Sequence, residues 1–192
     1  MREHVVIVGG SSGMGRALAA ELVAQGSEVT VAGRSADKLD DVRRELGVRT
    51  VAMDVGVEQD IERLFAVTGT VSHIVTTAAD VGGAYQPIAA YDVCAARSAV
   101  DSKLLGPLLL AKHGAPLLEP GGSIVFTSGI AAYRAISGRP HNGRHTTSGV
   151  AARREPRLIA SRRTSRAERS WEWLMLMSLS LIRSPSRRRA SS

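Results

Sequence analysis

The sequence has a single cysteine, Cys94, in 192 residues, and aromatic side chains make up only 4% of it. One thiol excludes an internal disulfide framework and fits a reducing compartment. Cys94 lies in an apolar helical stretch, where it reads as a small buried hydrophobe. No apolar run approaches the ~20 residues that a membrane-spanning helix needs. The 12-residue run WEWLMLMSLSLI at 171–182 is long enough only for a strand or a short helix. The opening MREHVVIVGG is too short in apolar content, and too interrupted by glycine, for a signal peptide. The expectation is a cytoplasmic protein with no membrane partner.

Lysine and aspartate are missing from residues 139–192 altogether. The net charge of +7 therefore averages two unlike segments: residues 1–138 carry 12 basic and 15 acidic side chains, whereas residues 139–192 carry 13 arginines and three glutamates. Such a basic tail commonly contacts nucleic acid or membrane, and its arginine runs at 153–154, 162–163 and 187–189 suit phosphate backbones. They lack aromatic interleaving and any known nucleic-acid module, which makes nucleic acid the lesser reading. The other reading is that GC-rich DNA is translated out of frame from about residue 139. The expected division is a dinucleotide-binding domain at 1–138 and an irregular Arg/Ser-rich tail at 139–192, non-native or disordered. His141 and His145 have the spacing of metal ligands on a helix, but Pro140 and Gly143 oppose a helix and no third ligand is in view. No metal is expected.

Before the tail, strand and helix signals alternate. Residues 4–9 form a β-branched run ending in glycine, and residues 16–26 have helical apolar spacing with Gly26 as the stop. Strands are expected at 28–34, 48–55, 71–78 and 121–129. Helices are expected at 36–46, capped by Ser35, at 57–67, and at 91–118 with a break around Gly106-Pro107. This alternation predicts an α/β fold: a Rossmann-like, doubly wound parallel sheet of about five strands over residues 4–130. The fifth strand is expected to be an exposed edge.

The turn Gly9-Gly10-Ser11-Ser12-Gly13-Met14-Gly15 follows a strand, opens a helix and lies in a β-α-β unit, the context in which a glycine-rich turn signifies dinucleotide binding. Gly9 permits the tight turn, Gly13 lets the backbone approach a pyrophosphate, and Gly15 lets helix and strand pack closely. Ser11 and Ser12 offer hydroxyl contacts, and the helix N-terminus offers N–H groups to phosphate. At the end of the second strand, where NAD sites usually carry a carboxylate, the sequence has Gly33-Arg34. A guanidinium there suits the 2′-phosphate of NADP, making NAD the less favoured cofactor.

The Gly-x-x-x-Gly-x-Gly spacing of VGGSSGMG, together with AGRS, MDV and GGSIVFTSG, resembles the short-chain dehydrogenase/reductase family over about residues 4–130. The resemblance implies hydride transfer between a nicotinamide dinucleotide and a small carbonyl or alcohol substrate, with Gly9, Ser11, Ser12, Gly13, Met14, Gly15, Arg34, Asp54, Val55 and Ala78 at the cofactor. It also implies a homo-oligomer where the family's catalytic helix is present. That helix carries Tyr-x-x-x-Lys, which occurs nowhere in this chain: the last tyrosine is Tyr133 and the last lysine is Lys112. The tyrosine position falls near His141 and Asn142, the catalytic asparagine position on Lys103, and the catalytic serine position on Gly129, one residue after Ser128. Ser128 is the one plausible catalytic residue. The family's Asn-Asn-Ala-Gly reads Thr76-Thr77-Ala78-Ala79, which keeps small residues beside the cofactor but loses the amides that bridge strands. Two alternatives stand beside the oxidoreductase reading: an NADP-binding protein without turnover, and a nucleic-acid-associated protein using the arginine tail.

Overall fold

Two strands with no exposed side chain set the middle of the molecule. Every residue of β1 (His4–Val8) and β4 (Val71–Thr76) is buried, as expected of strands covered on both faces. The computed structural model describes residues 2–80, 90, 92–128 and 152–153, all within the unit Met1–Ala160. The sheet continues with β2 (Glu28–Gly33), β3 (Arg49–Ala52), β5 (Leu118–Phe126) and β6 (Ala152–Arg153), in the order β3-β2-β1-β4-β5-β6. The first five strands are mutually parallel. Their order reverses between β1 and β4, which opens a crevice at the carboxyl ends of those strands.

The helices are α1 (Gly13–Ala24), α2 (Ala36–Leu46), α3 (Glu58–Thr68), α4 (Val93–Val100) and α5 (Gly106–Gly114). They flank the sheet, with α1 against α2 and α3 against α5. Ile61, Leu64 and Phe65 of α3 and Leu110 of α5 pack on Val6, Val8 and Ile74. Glu58 of α3 ties the second pair together: its Oε1 accepts from Lys112 Nζ at 2.6 Å and is 2.8 Å from His113 Nε2. Those bonds hold the Glu58 carboxyl below its ordinary range and the Lys112 ammonium above its own. Ser35 caps α2 as expected, through a long 3.4 Å bond from Lys38 N.

Several expectations need correction. The third strand spans only Arg49–Ala52, because Asp54 turns the chain by accepting from Gly56 N at 2.9 Å. β5 starts early, at Leu118. The 91–118 helix is interrupted before Gly106-Pro107 by a π-helical turn, Asp101–Leu105, closed by the Gly106 N–H on the Asp101 carbonyl. The wider turn brings Gly106 onto the chain after β3, where a Cβ would meet Val55 Cγ2 at 2.8 Å and Val55 O at 2.9 Å. Cys94 is exposed, not buried, because α4 has no buried residue. β5 is not a bare edge: Ser123 and Ile124 pair with Arg153 and Ala152 of antiparallel β6. The strand or short helix at 171–182 and the tail after Arg153 lie outside the described residues.

Candidate functional site

The crevice is built around the turn from β1 into α1. Gly9 has φ +90°, and a Cβ there would meet Ala78 N at 2.5 Å and Thr77 Oγ1 at 2.8 Å. A Cβ on Gly15 would run into the Gly9 carbonyl and the Thr77 hydroxyl. These two glycines are required because β1, α1 and the chain after β4 meet with room for the Thr77 hydroxyl but not for a further side chain. Gly13 differs. Its φ of +53° is left-handed, yet among the described residues nothing lies within 4 Å of where its Cβ would be. That side is open to the described part of the fold, the property a close-lying ligand requires.

The N-terminus of α1 is correspondingly unsatisfied. Ser12 stands at the N-cap with extended backbone, its side chain makes no capping bond, and the first turn carries no acidic residue. The free N–H groups and the positive end of the helix dipole are thus available to an anion. Ser12, Gly13 and Met14 are exposed around this end. Ser11 lies over Gly33, with its Oγ 3.2 Å from a Cβ built there.

Thr77 bridges the strands in place of the absent asparagine amides. Its backbone N–H donates to Val8 O at 2.8 Å, and its hydroxyl donates to Gly9 O at 3.1 Å. Ala78 N also reaches Val8 O, at 3.2 Å. Asp54 and Val55 sit on the turn after β3, Val55 buried and Asp54 half-buried. One Asp54 oxygen is used by Gly56 N, and Asp54 N donates to Asp60 Oδ2 at 2.8 Å.

At the far side of the crevice, Ser128 follows the end of β5. Thr127 fixes this segment by donating from N and Oγ1 to Thr76 O, at 3.2 and 3.0 Å. The Ser128 hydroxyl is buried and has no hydrogen-bond partner among the described residues. An unpaired buried hydroxyl is costly and points to an absent polar partner. Lys103, on the π-helical turn, is half-buried, and burial pushes its ammonium below the usual lysine range. Gly129, Tyr133, His141, Asn142 and His145 lie outside the described residues.

Arg34 carries a contact that no motif announces. Its Nη1 donates to Asp80 Oδ2 at 2.6 Å, which holds the guanidinium pKa above its ordinary value. Asp80 is placed by its own backbone, whose N–H donates at 2.9 Å to the hydroxyl of Ser102, a buried residue of the π-helical turn. Asp80 and Ser102 were missed by sequence reasoning. The available signal was a carboxylate directly after the small residues Thr76 to Ala79. A separate cleft lined by Val48, Arg49, Val51 and Val67 has no thiol, imidazole or carboxylate and lies away from these groups.

The family model described as short chain dehydrogenase matches residues 3–143. A short-chain type dehydrogenase/reductase from Mycobacterium ulcerans superposes with a TM-score of 0.68 at 30% identity, over 73% of this chain and 56% of that one. An uncharacterized oxidoreductase of Staphylococcus aureus is 27% identical over 137 residues, which are 67% of this chain and 58% of that protein. A 3-ketodihydrosphingosine reductase of Cryptococcus neoformans is 52% identical over 44 residues, 23% of this chain and 13% of its own length. The chain thus spans less than two thirds of each of these relatives. No helix among the described residues is long and apolar enough to cross a membrane.

Proposed function

The chain belongs to the short-chain dehydrogenase/reductase family of oxidoreductases, and on that premise we propose that residues 1–138 hold NADP for hydride exchange with a small carbonyl or alcohol. The observation that carries this reading is the uncapped N-terminus of α1 beside Gly13, whose open side leaves room for a pyrophosphate. Gly9 and Gly15 close the turn, the α1 N–H groups bind the phosphates, and Ser11 and Ser12 add hydroxyls. Asp54, Val55 and Ala78 line the adenine and ribose. Arg34, exposed at the end of β2, takes the 2′-phosphate.

Nicotinamide, when bound, supplies or accepts the hydride. The chain's part is to hold the substrate oxygen, a task suited to the unpaired hydroxyl of Ser128. Proton transfer lacks the family's usual tyrosine and lysine, and loss of such a general acid typically costs ~10²–10⁴-fold in rate. That absence favours a second reading, in which the protein binds NADP without appreciable turnover.

Calorimetric titration of both dinucleotides, followed by an NADPH-oxidation assay, tests the proposal. NADP should bind more tightly than NAD, and Arg34→Asp should abolish or reverse that order at a cost of ~1.5–3 kcal/mol to NADP. Equal affinities in the parent protein would remove NADP from the proposal. Carbonyl reduction that falls with Ser128→Ala supports the oxidoreductase reading, and tight binding without oxidation supports the second one.

A further inference from the structure

We propose that Asp80 sets how strongly the site favours a 2′-phosphate, by occupying the guanidinium that would otherwise be fully available to it. The inference rests on the reading of Arg34 given above. Arg34 leaves the end of β2 and Asp80 follows β4, so their 2.6 Å ion pair spans the mouth of the crevice, with β1 lying between its two parent strands. Both side chains are about half exposed, at 57% and 40%. An ion pair with that exposure is weak enough for an incoming anion to compete with it.

The position of Asp80 is not accidental to a flexible side chain. Its backbone N–H is held by Ser102 Oγ at 2.9 Å, and that hydroxyl lies within hydrogen-bond distance, 3.4 Å, of the Ala99 carbonyl. The backbone that carries the carboxylate is therefore anchored beside Arg34 by the π-helical turn. A 2′-phosphate approaching the guanidinium meets a negative charge already in place. It must displace Asp80 from Nη1 or share the cation with it, and either arrangement weakens phosphate binding relative to an unpaired arginine. A 2′-hydroxyl carries no charge and is little affected. Asp80 thus tempers the discrimination that Arg34 provides and keeps the second dinucleotide within reach of the site.

The test uses the full chain and two probes that differ only at the 2′ position, adenosine 2′,5′-bisphosphate and AMP, titrated calorimetrically at low ionic strength. Asp80→Asn, and independently Asp80→Ala, should tighten the bisphosphate about two- to fivefold and leave AMP unchanged. In an Arg34→Ala background the gain should shrink to what direct repulsion by Asp80 accounts for, and an undiminished gain would overturn the inference. If Arg34→Ala itself leaves bisphosphate binding untouched, the reading of Arg34 falls and this inference with it. If Arg34→Ala weakens the bisphosphate while both Asp80 variants bind it no more tightly than the parent, the inference alone is overturned.

Discussion

Two glycines two positions apart in the same turn do different work, and substitution separates them. At Gly15 a methyl group strikes the Gly9 carbonyl and the Thr77 hydroxyl, both held by the β1–β4 junction. Gly15→Ala should lower the melting temperature and abolish dinucleotide binding together. At Gly13 the methyl group meets nothing among the described residues, and the left-handed backbone resists it at ~1–2 kcal/mol. Gly13→Ala should therefore remain folded, with a modest loss in thermal unfolding, while dinucleotide affinity falls steeply in titration. Equal damage to stability from both would refute this division. The glycine pattern was legible in sequence because hard-sphere contact dictates it. The Arg34–Asp80 pair was not, since it joins residues 46 apart through exposed side chains that no spacing rule connects.

Among the elements, β1 and β4 carry buried histidines that make the sheet sensitive to acid. His73 is buried on β4, with Nδ1 2.9 Å from Ser123 Oγ, and His4 Nε2 is 2.9 Å from Thr30 Oγ1. Burial is the main cause that lowers both imidazole pKa values, against partial opposition from Glu3 and Glu119 at His73 and from Glu28 at His4. The unfolded chain then takes up protons first. Stability should be full above about pH 6.5 and decline as pH falls below it, by at most ~1.4 kcal/mol per pH unit for each histidine. His73→Asn should flatten that decline in melting curves between pH 7 and pH 5, whereas an unchanged slope would rule His73 out as a source. The strands were readable from their β-branched runs, and so were the helices with an apolar stripe, such as α2 through Leu39 and Val42. The π-helical turn was not. Pro107 marks a disturbance, but the turn's place is set by Gly106 reaching Val55, a contact outside the local sequence. Cys94 was misjudged for a related reason: its apolar neighbours on α4 cover nothing in the described fold.

For the whole molecule, the change of charge and composition near residue 139 coincides with the end of the family match at residue 143. We propose that the coding frame changes there. Translating the same DNA in its two other frames from codon 139 should uncover an apolar-striped helix, a Val-rich strand and a Pro-Gly turn. If neither frame contains them, the arginine-rich segment is native and its basic surface becomes a candidate binding face. The helix that lacks buried residues has a separate effect, on how the protein breathes. Deuterium should enter the amides of α4 within the time of small local openings, because their release uncovers no core. The amides of β1, locked between β2 and β4, should wait for the whole sheet to come apart. Isotope exchange would then show β1 as the slowest clock in the protein and α4 as the fastest of the five helices, so that this helix can loosen many times while the glycine turn after β1 keeps its form.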